Sequence, residues 1–189
     1  MILEKIQHEL MHSLDEKRYE HTLGVMYTAA ALCMKHSIPV EKGMLAGLLH
    51  DCAKAYKVNE QYQLCDKYKI KLNEIELVNG ALVHAKLGAF LAQEHYKIVD
   101  EDILNAIRYH TTGKPGMTLL EKILYIADYI EPHRELPHVI EMRKLAFEDL
   151  DKALSCLLKL SIEHLRESGK TIDDMTIQTY EYYKTKWYN

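Results

Sequence analysis

An apolar, helix-like stretch runs directly into a polar doublet at residues 44–51, which read Met44-Leu45-Ala46-Gly47-Leu48-Leu49-His50-Asp51. A neutral imidazole and a carboxylate on neighbouring residues can bind one cation, and the second carboxylate oxygen can bridge to another. An aspartate buried among apolar residues is costly unless a cation or several donors compensate it. The doublet therefore predicts a metal site on a helical scaffold.

Four further residues of fitting chemistry stand far from the doublet, each within an apolar, helix-like segment: His21, His84, His110 and Asp128. A lone histidine on an apolar helical face is more often a hydrogen-bonded core residue than a ligand. Asp128 is more informative, because an ionised carboxylate among apolar neighbours needs a compensating charge. Taken with the doublet, these residues predict a centre that can hold two metal ions.

Helical spacing of apolar residues recurs along the chain, and no strand pattern competes with it. Capping-box pairs begin helices at Ser13 and Thr118, while Pro39 and Pro132 interrupt the pattern. The predicted helices are 13–36, 40–53, 59–68, 73–78, 81–96, 100–109, 119–130, 139–168 and a last one after residue 171. The sequence thus predicts an all-α bundle that forms a single domain over residues 1–189.

The length, net charge and apolar content of the chain limit the classes of protein to which it can belong. A chain of 189 residues, 48% of them hydrophobic, is long enough for one substantial core. The formal net charge of −4 supplies no broad basic face, so a nucleic-acid partner is not expected. The apolar runs fall short of a membrane span and no secretion signal begins the chain, which predicts a cytoplasmic protein without a membrane partner. The four scattered cysteines are expected to be free thiols.

The order of the candidate ligands resembles that of the HD-domain phosphohydrolases, whose signature is a histidine, a His-Asp pair and a distant aspartate. Here these are His21, His50-Asp51 and Asp128. The neighbouring sequence resembles the bacterial YqeK subfamily in five segments: RYEHTLGV at 18–25, LHDCAK at 49–54, HAKLGA at 84–89, AIRYHTTG at 106–113 and IADYIEPHR at 126–134. This resemblance implies an HD core over about residues 18–134 and C-terminal helices over residues 138–187.

The resemblance implies symmetrical hydrolysis of diadenosine tetraphosphate and related dinucleoside polyphosphates to two ADP, with iron as the characteristic metal. It also implies a first ion held by His21, His50, Asp51 and Asp128. A second ion would be held by His84 and His110, with Asp51 as the bridge. Imidazole and carboxylate ligands also suit manganese or another divalent transition metal, so the choice of metal, and of one ion or two, stays open.

Two metal ions can activate a water and neutralise phosphate charge, which suits the hydrolysis of a phosphoanhydride. The residues predicted to be catalytic are Asp51, His84 and His110. If no second ion binds, a protonated His84 or His110 could assist the leaving group instead.

Cationic side chains close to the ligand motifs are the predicted phosphate contacts. Lys54 follows the doublet, Arg134 follows the helix of Asp128, and Arg18 stands about one helical turn before the first histidine. An ammonium or a guanidinium can meet neighbouring phosphate oxygens. Thr111 adds a neutral donor.

The resemblance implies a nucleoside pocket closed by a C-terminal segment, which here reads Ile172-Asp173-Asp174-Met175-Thr176. Asp173 and Thr176 are the predicted substrate contacts in this segment. Asp173 and Asp174 stand where the family usually has histidine and proline, a departure that bears on base preference more than on the hydrolytic chemistry.

Two other functions stay open at this point. One is a different HD-domain phosphohydrolase, such as a nucleotidase or a nucleoside triphosphate hydrolase, which would share the metal ligands but not the substrate. The other is a catalytically idle nucleotide-binding regulator with a structural metal. An aromatic C-terminus fits either a homodimer interface or, as we prefer, core packing within one chain; its members are Tyr180, Tyr182, Tyr183, Trp187 and Tyr188.

Overall fold

The structure is a computed structural model that describes residues 2–184, and Trp187 and Tyr188 lie outside this range. The described residues form α-helices and one short 3-10 helix, without strands, so the predicted all-α fold is confirmed. The helices are α1 (Ile2–Ser13), α2 (Glu16–Lys35), α3 (Val40–Leu49), α4 (Val58–Lys67), α5 (Glu74–Val78), α6 (Val83–Glu94), α7 (Glu101–Tyr109), α8 (Leu119–Ile130), α9 (Val139–Glu148), α10 (Leu150–Glu167) and α11 (Asp174–Lys184). The 3-10 helix, Cys52–Ala55, follows the His-Asp doublet.

Helix boundaries follow local capping chemistry. The predicted capping box at Thr118 is confirmed, because its hydroxyl accepts from Glu121 N and the Glu121 carboxylate accepts from Thr118 N. The predicted start at Ser13 is wrong, since this serine ends α1. The carboxylate of Asp15 caps α2 instead, accepting from Arg18 N over 2.9 Å.

The prediction of one long helix over residues 139–168 is also wrong, because the helix is interrupted at Asp149, between α9 and α10. This residue has an extended backbone (φ −149°), and its side chain accepts from Lys152 N over 3.0 Å. An aspartate that caps a new helix changes the backbone conformation, but the apolar residues on either side keep their helical spacing. The spacing alone therefore does not reveal the boundary. The first helix, α1, was not predicted, although Ile6, Leu10 and Leu14 are buried at helical spacing.

The core is built around the crossing of α2 and α3, with α8 packed against both helices and α7 packed against α3 and α8. At the crossing, a Cβ on Gly47 would lie 2.7 Å from Met26 Cα, so only glycine lets the two backbones approach this closely. Leu48 and Leu49 are fully buried. The packing of α2 on α3 places His21, in the second turn of α2, beside the doublet that follows α3.

The C-terminal helices cover one side of this core, with α10 against α8 and α11 against α10. Tyr183 of α11 is buried and its hydroxyl accepts from Met117 N over 2.8 Å, which favours packing within the chain for this aromatic residue. The four cysteines are free thiols, as predicted. Between residues 2 and 184, no helix combines the length and the apolar character that crossing a membrane requires.

Candidate metal centre

Five helices direct the six predicted ligands into one cluster. The cluster contains His21 of α2, His50 and Asp51 at the end of α3, His84 of α6, His110 at the end of α7, and Asp128 of α8. Asp128 is the most accessible member, with a side chain 25% exposed, and the others are buried. Residues spread over most of the chain thus converge at one site.

One side of the cluster is formed by His21, His50 and Asp128. His21 Nε2 lies 3.1 Å from Asp128 Oδ1 and 4.0 Å from Asp51 Oδ2. His50 Nε2 lies 3.5 Å from the same oxygen of Asp51. Two imidazoles therefore face Asp51 Oδ2, and Asp128 lies beside His21.

The other side of the cluster is formed by His84 and His110. Their Nε2 atoms lie 3.2 Å and 3.8 Å from Asp51 Oδ1, and 3.1 Å from each other. Asp51 thus presents a different oxygen to each pair of histidines. This arrangement suits a carboxylate that bridges two ions.

Hydrogen bonds to the backbone orient two of the histidines for metal binding. His50 Nδ1 lies 2.7 Å from Gly47 O, and His110 Nδ1 lies 2.7 Å from Ile107 O. A carbonyl oxygen can only accept, so Nδ1 carries the proton in both rings and Nε2 keeps its lone pair. Both Nε2 atoms therefore face the cluster as candidate ligands.

The donor set fits a divalent cation. Of the nitrogens in the part of the chain that the structure describes, His21 Nε2 and His50 Nε2 are buried and make no hydrogen bond. Leaving such atoms unpaired in the interior is costly, whereas a metal ion would satisfy both. Neutral imidazoles together with carboxylates are typical ligands of divalent transition metals.

Burial also holds the histidines in the form that binds metal. It lowers the pKa values of His50 and His84, and it lowers that of His110 to about 4. These imidazoles are therefore neutral near pH 7. Protons compete weakly for them there.

The two carboxylates are held ionised. Burial alone would raise the pKa of Asp51, but His50 and His84 outweigh it and hold the pKa well below the usual range. Asp128 behaves alike, because the effects of His21 and His50 outweigh burial and lower its pKa. The two negative charges of the cluster therefore favour the binding of a cation.

Two of the three predicted phosphate-binding cations contact these carboxylates directly. Arg18 Nη1 donates to Asp51 Oδ2 over 2.7 Å, and Arg134 Nη2 donates to Asp128 Oδ1 over 2.7 Å. Lys54 is half-buried, and its charge helps to lower the pKa of Asp51. The three cations therefore lie at the rim of the cluster.

The predicted nucleoside contacts lie farther along the chain, around the start of α11. Asp173 is buried, with Oδ2 accepting from Asn73 Nδ2 over 2.9 Å and Oδ1 accepting from Met175 N over 2.8 Å. Thr176 is also buried, whereas Thr111, which follows His110, is half-buried. In this structure Asp173 joins the start of α11 to the start of α5.

One buried residue of the site is not among those predicted from the sequence. Glu131 directly follows α8, is 1% exposed, and its Oε1 lies 3.1 Å from His21 Nδ1. The sequence around Glu131, which directly precedes Pro132, does not predict this contact, because Glu131 and His21 are far apart in the chain. A glycine inside α2, Gly24, was the available clue, because helical glycine is unfavourable without a packing reason.

Comparisons with known proteins agree with this geometry. The HD domain family matches residues 18–133. The chain is 43% identical to the symmetrical bis(5'-nucleosyl)-tetraphosphatase of Bacillus subtilis (strain 168), over 89% of this chain and 90% of that protein. It is 42% identical to the protein of the same name from Halalkalibacterium halodurans, over 88% of this chain and 89% of that protein.

A solved structure has the same fold. It is a crystal structure from Clostridium acetobutylicum described as a predicted HD superfamily hydrolase involved in NAD metabolism. It superposes with a TM-score of 0.93, is 44% identical in sequence, and covers 97% of each chain. Similarity of this kind extends well beyond the matched residues 18–133 and includes the C-terminal helices.

Proposed function

Since the chain belongs to the HD-domain family, we propose that it is a metal-dependent symmetrical bis(5'-nucleosyl)-tetraphosphatase that hydrolyses diadenosine tetraphosphate to two ADP. The observation that carries this proposal is the placement of Asp51, which presents Oδ2 to His21 and His50 and Oδ1 to His84 and His110. A bridging carboxylate between two histidine pairs suits a two-ion phosphohydrolase.

The proposed ligands divide into two sets that share this bridge. The first ion would be held by His21, His50, Asp51 and Asp128. The second would be held by His84 and His110 with Asp51. Iron is our proposed metal, and manganese suits the same nitrogen and oxygen donors. When bound, such ions would act as Lewis acids toward phosphate oxygens and lower the pKa of a water.

The remaining polar side chains would bind and orient the polyphosphate. Arg18, Lys54 and Arg134 place positive charge at the rim, where a guanidinium or an ammonium can donate to phosphate oxygens. Positive charge held there in advance would stabilise the charge on the phosphoryl group under attack. We propose that these three side chains hold the inner phosphates of the substrate in position.

The proposed reaction does not require a general acid to protonate the leaving group. ADP leaves as a stable anion, so no strong acid is required. Burial lowers the pKa values of His84 and His110, so both imidazoles are neutral near pH 7 and lack the extra proton of a general acid. This supports a role as ligands for both histidines, in preference to the general-acid role.

The nucleoside would lie toward α11. Tyr183 holds Met117 in the loop that follows His110, and a Cβ on Gly113 of this loop would lie 2.7 Å from Thr179 Cγ2. The helix therefore packs closely on that loop. We propose that Asp173 and Thr176 contact the nucleoside, with Asp173 held in place by Asn73, and that Thr111 adds a neutral donor to the phosphate contacts. The whole would form one domain, an HD core over residues 18–134 with helices over 138–187.

The first test is product analysis. Protein loaded with Fe²⁺ or Mn²⁺ is mixed with diadenosine tetraphosphate, and ADP, AMP and ATP are separated by chromatography. ADP as the sole product is expected. A mixture of AMP and ATP would contradict the symmetrical attack.

Two further outcomes address the alternatives. Turnover of nucleoside mono- or triphosphates without turnover of the tetraphosphate would favour a nucleotidase or a triphosphate hydrolase. Nucleotide binding without turnover of any phosphate substrate, under every metal condition, would favour an idle regulator. The Asp51→Asn variant serves as the inactive control in each assay.

A further inference from the structure

His21 is held from its far side by the buried carboxylate of Glu131. The two side chains meet through His21 Nδ1 and Glu131 Oε1, 3.1 Å apart, and both are buried. An ionised carboxylate can only accept, so His21 donates from Nδ1 and keeps the lone pair on Nε2. That nitrogen lies 3.1 Å from Asp128 Oδ1 within the cluster.

The space for this carboxylate exists because residue 24 is glycine. A Cβ at Gly24 would lie 2.3 Å from Glu131 Oε2 and 3.1 Å from the carboxyl carbon. Gly24 follows His21 by three residues, so it lies on nearly the same face of α2. A glycine inside a helix lowers helix stability, and here it makes room for the partner of His21.

A second set of contacts fixes the turn that carries Glu131. The other carboxylate oxygen, Oε2, accepts from His133 N over 2.8 Å. Arg143 of α9 donates from Nε to Ile130 O and from Nη2 to Glu131 O, both over 2.8 Å. One guanidinium thus holds the backbone on both sides of the Ile130–Glu131 peptide bond.

From these contacts we propose that Glu131 is a positioning residue for His21. It selects the Nδ1-protonated form of His21 and directs Nε2 of that ring toward the first metal ion. Arg143 in turn holds Glu131 in place. The inference rests on the metal centre proposed above. Carboxylates that accept from a metal-binding histidine commonly raise metal affinity by fixing the ring and its proton. Arg143 lies beyond residues 18–133, so the C-terminal helices would support the metal site.

The experiment compares metal affinity among variants. The dissociation constant for Co²⁺ is measured by competition with a chelator, and the visible spectrum of bound Co²⁺ reports the ligand field. Glu131→Ala is expected to weaken binding of the first ion by about 10- to 100-fold and to change this spectrum. Glu131→Gln is expected to lose less, because an amide oxygen can still accept from His21 Nδ1.

Matched controls separate this role from general stability. Glu121→Gln alters another glutamate that is 1% exposed, one that caps α8 and pairs with Lys114, and should leave Co²⁺ affinity unchanged. Arg143→Lys should weaken Co²⁺ binding several-fold, whereas Lys144→Met on the same helix should not.

Gly24→Ala gives an independent test that avoids any change to Glu131. Alanine favours the helix, so thermal stability need not fall, yet its methyl group must displace the Glu131 carboxylate. Folded Gly24→Ala protein with weaker Co²⁺ binding would support the proposal. Folded Glu131→Ala and Gly24→Ala proteins that bind Co²⁺ with wild-type affinity would overturn it. If wild-type protein itself binds no Co²⁺, the proposed metal centre fails before the role of Glu131 is tested.

Discussion

His84 and His110 approach each other with their Nε2 atoms 3.1 Å apart, although they come from different helices. The proton of His110 lies on Nδ1, which donates to Ile107 O. Its Nε2 therefore offers a lone pair toward His84 and toward Asp51 Oδ1, 3.8 Å away. Such convergence on one carboxylate oxygen favours a second ion at this position.

We expect His84→Ala to remove the second ion and to spare the first. The ligands of the first ion stay in place, whereas the second would keep only His110 and Asp51. Metal content per chain, measured after gel filtration of Mn²⁺-loaded protein, should fall from two ions to one. Retention of two ions would contradict the assignment, and the exposed His164→Ala serves as the control.

Asp51→Asn is expected to weaken both ions, because each side of the cluster uses one oxygen of this carboxylate. An amide cannot bridge two cations with two charged oxygens, so we expect hydrolysis to fall by at least about 100-fold. Metal content and ADP release are the two measurements. Normal metal binding with full activity in this variant would refute the scheme, and Asp66→Asn at the surface is the control.

Lys54→Met should impair substrate binding without loss of metal. A charge-assisted hydrogen bond to phosphate contributes about 1.5–3 kcal/mol, so kcat/KM for diadenosine tetraphosphate should fall roughly 10- to 100-fold. Metal affinity should hold or rise, since Lys54 adds positive charge near Asp51. The exposed Lys57→Met is the matched control. Unchanged kcat/KM would remove Lys54 from the proposed phosphate contacts.

The metal-free protein should become less stable as the pH falls from 6.5 toward 4. Burial lowers the pKa of His110 from 6.5 to about 4, so the unfolded chain binds more protons in this window and unfolding is favoured. This one group contributes up to roughly 3 kcal/mol across the window. The carboxylates with lowered pKa values, Asp51 and Asp128, add their effect only below about pH 4.

Urea unfolding in the presence of a chelator, at pH 7 and pH 5, measures this dependence. His110→Asn should reduce it, with the remainder due to His50 and His84, whereas His164→Asn at the surface should leave it as in wild type. Equal free energies of unfolding at the two pH values in wild-type protein would be inconsistent with neutral buried histidines.

Gly47→Ala should destabilise the fold by about 1–3 kcal/mol, because its methyl group would press against the backbone of α2 at Met26. Gly88→Ala is the matched control within another helix, where the nearest atoms lie 3.5 Å away. There the gain in helix propensity, up to about 1 kcal/mol, should leave stability unchanged or higher. Equal effects of the two substitutions, measured by urea unfolding, would argue against the close crossing of α2 and α3.

The side chains of the candidate metal centre were predictable because their chemistry is unusual for their surroundings. Asp51 and Asp128 stand in apolar helical segments, where an ionised carboxylate needs a cation or donors. Helix positions were largely predictable too, because apolar spacing reports a buried face. The break at Asp149 was missed because a capping residue changes the backbone without changing that spacing.

The amino-acid sequence by itself determined which side chains could bind metal, that the fold is helical, and which family the chain resembles. All three depend on residue identity and on spacing within single helices. Only the tertiary structure decided which oxygen of Asp51 faces which histidines and that Glu131 supports His21. The physical reason is that these contacts join helices far apart in the chain, 110 residues in the case of His21 and Glu131, and arise from how the helices pack.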